Sequence, residues 1–262
     1  MFYTEGYTAL TDRQRLRYNQ LQGLYFNEQI TFFESAVARN VLATLARDPS
    51  LGRLAEALRQ FGEEEQRHTE MFRELNRRVA PHWYAHRHFH FIRVPRASAR
   101  LLEAATKHPR LFPMFVWLML LQEERSLYYS REILRHHDGL DPDFIAVHRA
   151  HLADEVDHVR WDEELLDELW AHARRWRRRV NAGAFQWMVR EFFHAPKRAQ
   201  VRVVEEFARE RPELLRQLRA LGQDKRYRAS LYSRKMVPRT LARMDAWPEF
   251  RTFVAQLSGE EP

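Results

Sequence analysis

The chain has 262 residues, no cysteine, and 43 Lys and Arg against 36 Asp and Glu, which gives a formal net charge of +7. The lack of cysteine excludes disulfides, thiolate zinc sites and a cysteine nucleophile. Hydrophobic residues make up 45% of the chain and only 8 residues are glycine. This composition favours a packed helical protein over a disordered or sheet-rich one.

The sequence predicts neither a signal peptide nor a membrane span. The first residues lack the basic-then-apolar pattern of a signal peptide, and the longest apolar run, 111–121, is too short to cross a bilayer. We therefore expect a cytoplasmic protein without a membrane partner. The basic charge raises the alternative of a nucleic-acid partner, but the arginines are widely spread, with one dense run at 174–179. We therefore do not expect nucleic acid as a partner.

Apolar residues recur with a helical period along most of the chain. The first two predicted helices, 11–45 and 51–78, are separated by a break at 48–50. A short helix at 97–107 precedes two further long ones, at 109–136 and 142–172, which are joined by a turn at 138–142. More helices are predicted at 181–194, 196–208, 210–221 and 226–243. We expect one domain over 1–262, with a four-helix core at about 12–172 and a C-terminal extension at about 176–262.

The segment 83–92 has no helical period, because its aromatic residues and histidines alternate. This alternation predicts an extended segment. Three histidines, His86, His88 and His90, would share one face of such a strand and form a metal site there. The alternative is a packed connection between helices, which we favour.

The pattern His-x3-Glu-x2-His at 151–158 is the most distinctive motif in the chain. Residues four and seven positions apart lie within about 40° of each other around an α-helix. His151, Glu155 and His158 are therefore predicted to point in one direction. Two imidazoles and a carboxylate on one helix face form a candidate metal site, although a polar surface helix would also show this pattern.

Two predicted helical hairpins place carboxylates at matching heights. Both hairpins carry the motif Glu-x-x-His, and each partner helix offers one further glutamate at about 15 residues from its turn. This is the arrangement of ferritin-like dinuclear carboxylate bundles. We therefore predict an all-α, ferritin-like antiparallel four-helix bundle with additional C-terminal helices and with a dinuclear metal site formed by Glu34, Glu65, His68, Glu124, Glu155 and His158.

Height along the bundle and angular position around the helix select the one glutamate that each partner helix contributes. Glu28 lies about 9 Å farther along the first helix than Glu34, which is surrounded by apolar neighbours, so we select Glu34. Glu123 points about 100° away from Glu124, and we select Glu124. Glu64 falls outside the Glu-x-x-His register, so we expect it in solvent or beside a ligand.

The whole set of motifs resembles the di-iron p-aminobenzoate (arylamine) N-oxygenase family, the AurF-like proteins, in the ferritin-like superfamily. The resemblance covers the four core helices and includes the extra histidine of the 151–158 motif. It implies an oxygenase that uses two carboxylate-bridged Fe ions, O2 as co-substrate and an external electron donor. It further implies a peroxo-diferric species, N-oxygenation of a small aromatic amine, a redox partner and a homodimer. The iron ligands that it implies are Glu34, Glu65, His68, Glu124, His151, Glu155 and His158.

Other functions remain open at this point. The same site would also serve a di-iron oxidase or hydroxylase for an aliphatic, lipid, carrier-tethered or tRNA substrate, or a ferritin-like iron-binding protein.

Asp162, one turn beyond His158, is our candidate for a carboxylate that orients a ligand imidazole, with a surface position as the alternative. Four side chains are candidates either for lining a substrate cavity or for ordinary core packing: Phe33, Trp117, Leu120 and Tyr128.

Overall fold

The structure, a computed structural model, describes residues 2–190, 198–207, 212–224, 226–227 and 232–258. Within these ranges it consists of helices and turns and contains no strand. The first long helix, α1, comprises Asp12–Phe33, a π-helical stretch at Glu34–Ala38 and Arg39–Leu45. The remaining described helices of eight or more residues are α2 (Ala55–Val79), α3 (Arg96–Thr106), α4 (Met114–Arg135), α5 (Pro142–Leu169), α6 (Arg175–Val189), α7 (Arg198–Phe207), α8 (Pro212–Ala220), α9 (Pro238–Asp245) and α10 (Arg251–Ser258).

Side-chain caps fix the starts of two core helices. The Thr11 hydroxyl accepts a hydrogen bond from the Gln14 N–H at 3.3 Å, and the Gln14 side chain accepts one from the Thr11 N–H at 2.9 Å. This capping box satisfies two N–H groups at the start of α1. At the start of α5, Asp141 accepts from the Phe144 N–H at 3.0 Å, and Pro142 occupies the first turn.

The core is built from α1, α2, α4 and α5, which pack as two antiparallel hairpins, α1 with α2 and α4 with α5. Helices α2 and α5 join the hairpins across the bundle. The prediction of an all-α four-helix bundle with additional helices is therefore confirmed. The middle of α4 is buried on all sides, from Met114 to Leu121. No described helix is both long and apolar enough to span a membrane.

The C-terminal helices share the core of the bundle. Phe250, which directly precedes α10, packs against two tryptophans of the bundle. Its ring centroid lies 4.9 Å from that of Trp117 in α4 and 5.3 Å from that of Trp170. On the opposite side, α7 packs on α1 and buries Val203 and Val204. This common core supports our proposal that residues 1–262 form one domain.

Several predicted boundaries shift for local reasons. Helix α4 begins at Met114 rather than at 109, because Pro113 precedes it. Residues 49–54 form a 3₁₀ turn, so α2 begins later than predicted. In place of the predicted helix 226–243, the described part of the chain has turns at 234–236 and helix α9, while α10 was not predicted. The predicted helix end at 194 lies outside the described residues.

The histidine-rich segment is a packed connection rather than a strand. The carboxylate of Glu28 accepts hydrogen bonds from the backbone N–H groups of His90, Phe91 and Ile92 at 2.6–3.1 Å and from the Tyr84 hydroxyl at 2.7 Å. The His90 ring also stacks on Trp83, with 4.3 Å between ring centroids. The other two histidines are exposed. Of the two alternatives, the structure shows the packed connection.

Candidate metal centre

Six of the seven predicted ligands converge inside the bundle. They form two groups that share His68, and within each group the possible ligand atoms lie within 4.8 Å of one another. All six side chains are buried. One group comprises Glu65, His68, Glu155 and His158, and the other comprises Glu34, His68 and His151. The helices thus bring these residues together as the motif spacing predicts, while their role as metal ligands stays a prediction.

Glu155 lies at the middle of the cluster. Its Oε1 is 2.8 Å from His151 Nε2, 3.5 Å from His68 Nδ1 and 3.6 Å from His158 Nδ1. His158 Nδ1 in turn lies 3.3 Å from Glu65 Oε1. Glu155 therefore lies close to histidines of both groups.

A π-helical stretch positions Glu34. The stretch Glu34–Ala38 interrupts α1 at this residue, and such π-turns occur often at functional sites. Glu34 Oε1 lies 3.3 Å from His151 Nε2, and Glu34 Oε2 accepts a hydrogen bond from Thr69 Oγ1 at 3.0 Å. Burial, followed by the charge of Glu65, raises the pKa of the Glu34 carboxyl. The local widening of α1 therefore aims a buried carboxylate at the histidines.

Each imidazole is held by its outer nitrogen. His68 Nε2 lies 3.0 Å from Asp154 Oδ2, and His158 Nε2 lies 3.0 Å from Glu64 Oε2. His151 Nδ1 lies 3.2 Å from the hydroxyl of Ser126. Carboxylates and hydroxyls in this position orient metal-binding histidines and fix which nitrogen faces the metal. Asp154 and Ser126 carry no sequence signal, since their role depends on contacts between helices.

The prediction that Asp162 orients an imidazole is wrong. Its carboxyl is fully buried, but neither oxygen has a hydrogen-bond partner, and His158 is held by Glu64 instead. Burial raises the pKa of Asp162 well above its usual value. The alternative, a surface position, is wrong as well, because the side chain is buried, and His158 Nε2 faces α2.

The structure does not bring the seventh predicted residue, Glu124, to the cluster. Its two oxygens accept hydrogen bonds from the backbone N–H groups of Arg239 and Thr240 at 2.9 and 2.6 Å. Glu123 lies beside the cluster instead, where it borders the same cavity as Glu34 and His151, and burial, then the charge of Glu155, raises the pKa of its carboxyl. The carboxylate of α4 nearest the cluster is therefore Glu123 rather than Glu124, a difference of one residue or about 100° around the helix. Glu124 points away because its carboxylate caps the N-terminus of α9.

The buried polar atoms of the cluster fit two divalent metal ions. Both carboxylate oxygens of Glu65 and Glu155 and Nδ1 of His68 and of His158 are buried without a hydrogen-bond partner. Such atoms are costly to bury unless a ligand or metal satisfies them. Burial, then the charges of Glu155 and Glu65, raises the pKa of Glu123 well above its usual value. Two dications would balance four carboxylates and remove this cost.

A small cavity of about 30 Å³ between α1 and α4 borders the cluster. Glu34, Glu123 and His151 border it on the cluster side. Of the four side chains considered for lining, Phe33 borders this cavity, whereas Trp117 and Leu120 are fully buried in the core. Tyr128 borders a second cavity, of about 200 Å³, on the other side of α4.

Comparison with known proteins gives one match. The sequence model of the family described as P-aminobenzoate N-oxygenase AurF matches residues 1–241. No curated protein and no solved structure matches the chain. The family is one of di-iron oxygenases, and its donor set of carboxylates and histidines agrees in kind with the buried cluster. Because the match covers most of the chain, including all four bundle helices, the chain belongs to the p-aminobenzoate N-oxygenase AurF family.

Proposed function

We propose that this protein is a non-haem di-iron oxygenase that adds oxygen to the nitrogen of a small aromatic amine. The observation that carries the proposal is the buried cluster of histidines and carboxylates whose inward atoms have no hydrogen-bond partner. Membership of an oxygenase family supports the reaction class. The proposed iron ligands are Glu34, Glu65, His68, Glu123, His151, Glu155 and His158, with Glu123 in place of the predicted Glu124.

The two irons, when bound, would supply the electron transfer to O2 that N-oxygenation needs. Two electrons from the external donor and two protons would balance the reaction, in which one oxygen atom goes to the amine nitrogen and the other leaves as water. The chain provides the surroundings for this chemistry. Phe26, Ile30 and Phe33 form an apolar wall of the cavity next to the cluster. These side chains would contact an aromatic ring beside the cluster and shield the reacting nitrogen from water.

The family match supports a small aromatic amine over a lipid, a carrier-tethered group or a tRNA as the substrate. An external electron donor, a homodimer and a cytoplasmic location remain parts of the proposal.

The test is turnover by purified iron-containing protein. After anaerobic reduction, p-aminobenzoate and O2 are added, and the products are identified by liquid chromatography and mass spectrometry. We expect the hydroxylamine or nitro product, and we expect none from a Glu155→Ala control. Iron-containing protein that leaves every arylamine unchanged would exclude N-oxygenation. Equal product from the Glu155→Ala control would show that the reaction takes place elsewhere.

A further inference from the structure

One arginine lies between the two carboxylates that contact the outer nitrogens of His68 and His158. Arg67 Nη2 is 3.5 Å from Glu64 Oε1 and 3.6 Å from Asp154 Oδ2. Arg67 and Glu64 belong to α2 and Asp154 belongs to α5, so the contact crosses from one helix to the other. Glu64 is buried, whereas the side chain of Arg67 is 56% exposed. A single surface cation thus joins both carboxylates.

This arginine is one contact removed from two of the three histidines of the cluster. Glu64 Oε2 lies 3.0 Å from His158 Nε2, and Asp154 Oδ2 lies 3.0 Å from His68 Nε2. The inward Nδ1 atoms of both rings are among the buried atoms without a hydrogen-bond partner. The charge of Arg67 can therefore act on both imidazoles, through one carboxylate each.

The charge of an outer carboxylate changes how strongly an imidazole binds a metal. A carboxylate that accepts the outer N–H makes the ring a stronger donor, which favours the oxidised metal. A cation beside that carboxylate attracts its charge and opposes this effect. At the third histidine, His151, the outer nitrogen meets the neutral hydroxyl of Ser126 instead. Arg67 therefore lies where it can weaken the donor strength of His68 and His158 together.

We propose that Arg67 is a positioning residue that acts through Glu64 and Asp154 to set the potential at which the metal centre is reduced. This inference rests on the iron centre of the proposed function and extends it to the reduction that precedes the reaction with O2. In that reduction, each Fe3+ takes one electron from the external donor and becomes Fe2+. Pairing of the two carboxylates with Arg67 raises the potential of this step, because it makes the imidazoles weaker donors.

The test is a redox titration of the iron-containing protein with mediator dyes, followed by the visible absorption of the oxidised irons. In Arg67→Gln we expect a lower reduction potential, with the equilibrium shifted roughly tenfold toward Fe3+, or about 59 mV for a one-electron step. Asp154→Asn and Glu64→Gln should raise the potential, because a neutral acceptor makes the imidazole a weaker donor. General damage to the site would not give shifts of opposite sign.

Arg160→Gln is the matched control. Arg160 lies two residues from His158, its side chain is 57% exposed, and it pairs with the exposed carboxylate of Asp157 at 3.2 Å. This variant should keep the native potential. Arg67→Lys should restore most of the native potential, since one nitrogen of Arg67 lies near both carboxylates and an ammonium group can take its place.

An unchanged potential in Arg67→Gln would overturn the proposal even if the melting temperature fell, because Arg67 would then only join α2 to α5. An equal shift in Arg160→Gln would overturn it as well, since any nearby surface charge would then have the same effect. Arg67→Met, which keeps the apolar stem of the side chain, replaces Arg67→Gln in the titration if that variant does not fold or does not retain iron.

This inference and the proposed function fail in different ways. A lower potential in Arg67→Gln, in a protein that leaves every arylamine unchanged, would refute N-oxygenation and keep the role of Arg67. N-oxygenation by a protein whose potential is the same in the native form and in Arg67→Gln would keep the function and refute the role of Arg67. A native protein that binds no iron would overturn both.

Discussion

Glu123 and Glu124 are neighbours on α4, but their side chains lie in different surroundings. Glu123 lies beside the cluster, while Glu124 caps the N-terminus of α9. We predict that Glu123→Gln weakens iron binding by at least roughly tenfold, since it removes a charged oxygen donor from the site. Glu124→Gln should leave iron affinity unchanged and lower the free energy of unfolding by about 1–3 kcal/mol. Iron titration and urea unfolding of both variants measure these effects. Loss of iron affinity in Glu124→Gln alone would restore Glu124 as the ligand of α4.

A second prediction concerns His148, which is fully buried one turn before His151. Its ring contacts Phe26, Phe72 and Phe144, with ring centroids 4.4–6.0 Å apart. Burial, followed by the charge of His151, lowers the pKa of His148 to about 3. The unfolded chain therefore binds a proton at His148 between about pH 6.5 and pH 3, whereas the folded chain does not, so the folded state loses stability as the pH falls through this range.

The measurement for His148 is the free energy of unfolding of the native protein and of His148→Gln at pH 7 and pH 5. The stability of the native protein relative to the variant should fall by about 2 kcal/mol from pH 7 to pH 5. A difference that does not change with pH would show that His148 is protonated to the same extent in the folded and unfolded states.

At single residues, the sequence predicts the ligand types and most positions but not their partners. The Glu-x-x-His motifs place Glu65, His68, Glu155 and His158 correctly together, because the helical period fixes one face. The period does not fix how α4 is rotated within the bundle, and that rotation decides between Glu123 and Glu124. The helical period also does not show which carboxylate of a neighbouring helix lies opposite an imidazole nitrogen. The roles of Asp154 and Glu64 therefore required the structure.

Among the elements, the connection between α2 and α3 depends on a single carboxylate. Glu28 of α1 accepts hydrogen bonds from three consecutive backbone N–H groups, at 90–92. We predict that Glu28→Ala lowers the free energy of unfolding by roughly 2–4 kcal/mol, because these buried N–H groups lose their acceptor. The freed connection should also be cleaved faster by trypsin after the exposed Arg87.

Glu28→Gln is the matched control for this connection, since it keeps one acceptor oxygen and the shape of the side chain. It should show a smaller loss of stability and slower cleavage than Glu28→Ala. Identical trypsin cleavage of the native protein and both variants would mean that other contacts hold the connection.

The long core helices follow from the sequence, since their apolar period extends over many turns and proline or a turn marks their ends. The C-terminal elements follow less well. The predicted helix 226–243 is replaced, in the described part, by turns and the short α9, whose first N–H groups are satisfied by Glu124 of α4. A helix that depends on a cap from a distant part of the chain leaves no local signal in its own sequence.

At the scale of the molecule, the cluster gathers four buried carboxylates and three buried histidines inside one bundle, and helices from the C-terminal third complete the core around it. Such a concentration of buried charge opposes folding unless cations balance it. The same cations would give the protein its oxygenase activity. Stability and activity are thus expected to depend on one metal centre.

The most direct measurement is therefore the iron content of the purified native protein, combined with its melting temperature before and after chelation. We predict about two irons per chain, as in ferritin-like dinuclear bundles, and a lower melting temperature when iron is removed, because metal that binds the folded state stabilises it. A chain that takes up no iron, or whose melting temperature is the same with and without iron, would contradict the assignment of this cluster as a di-iron centre.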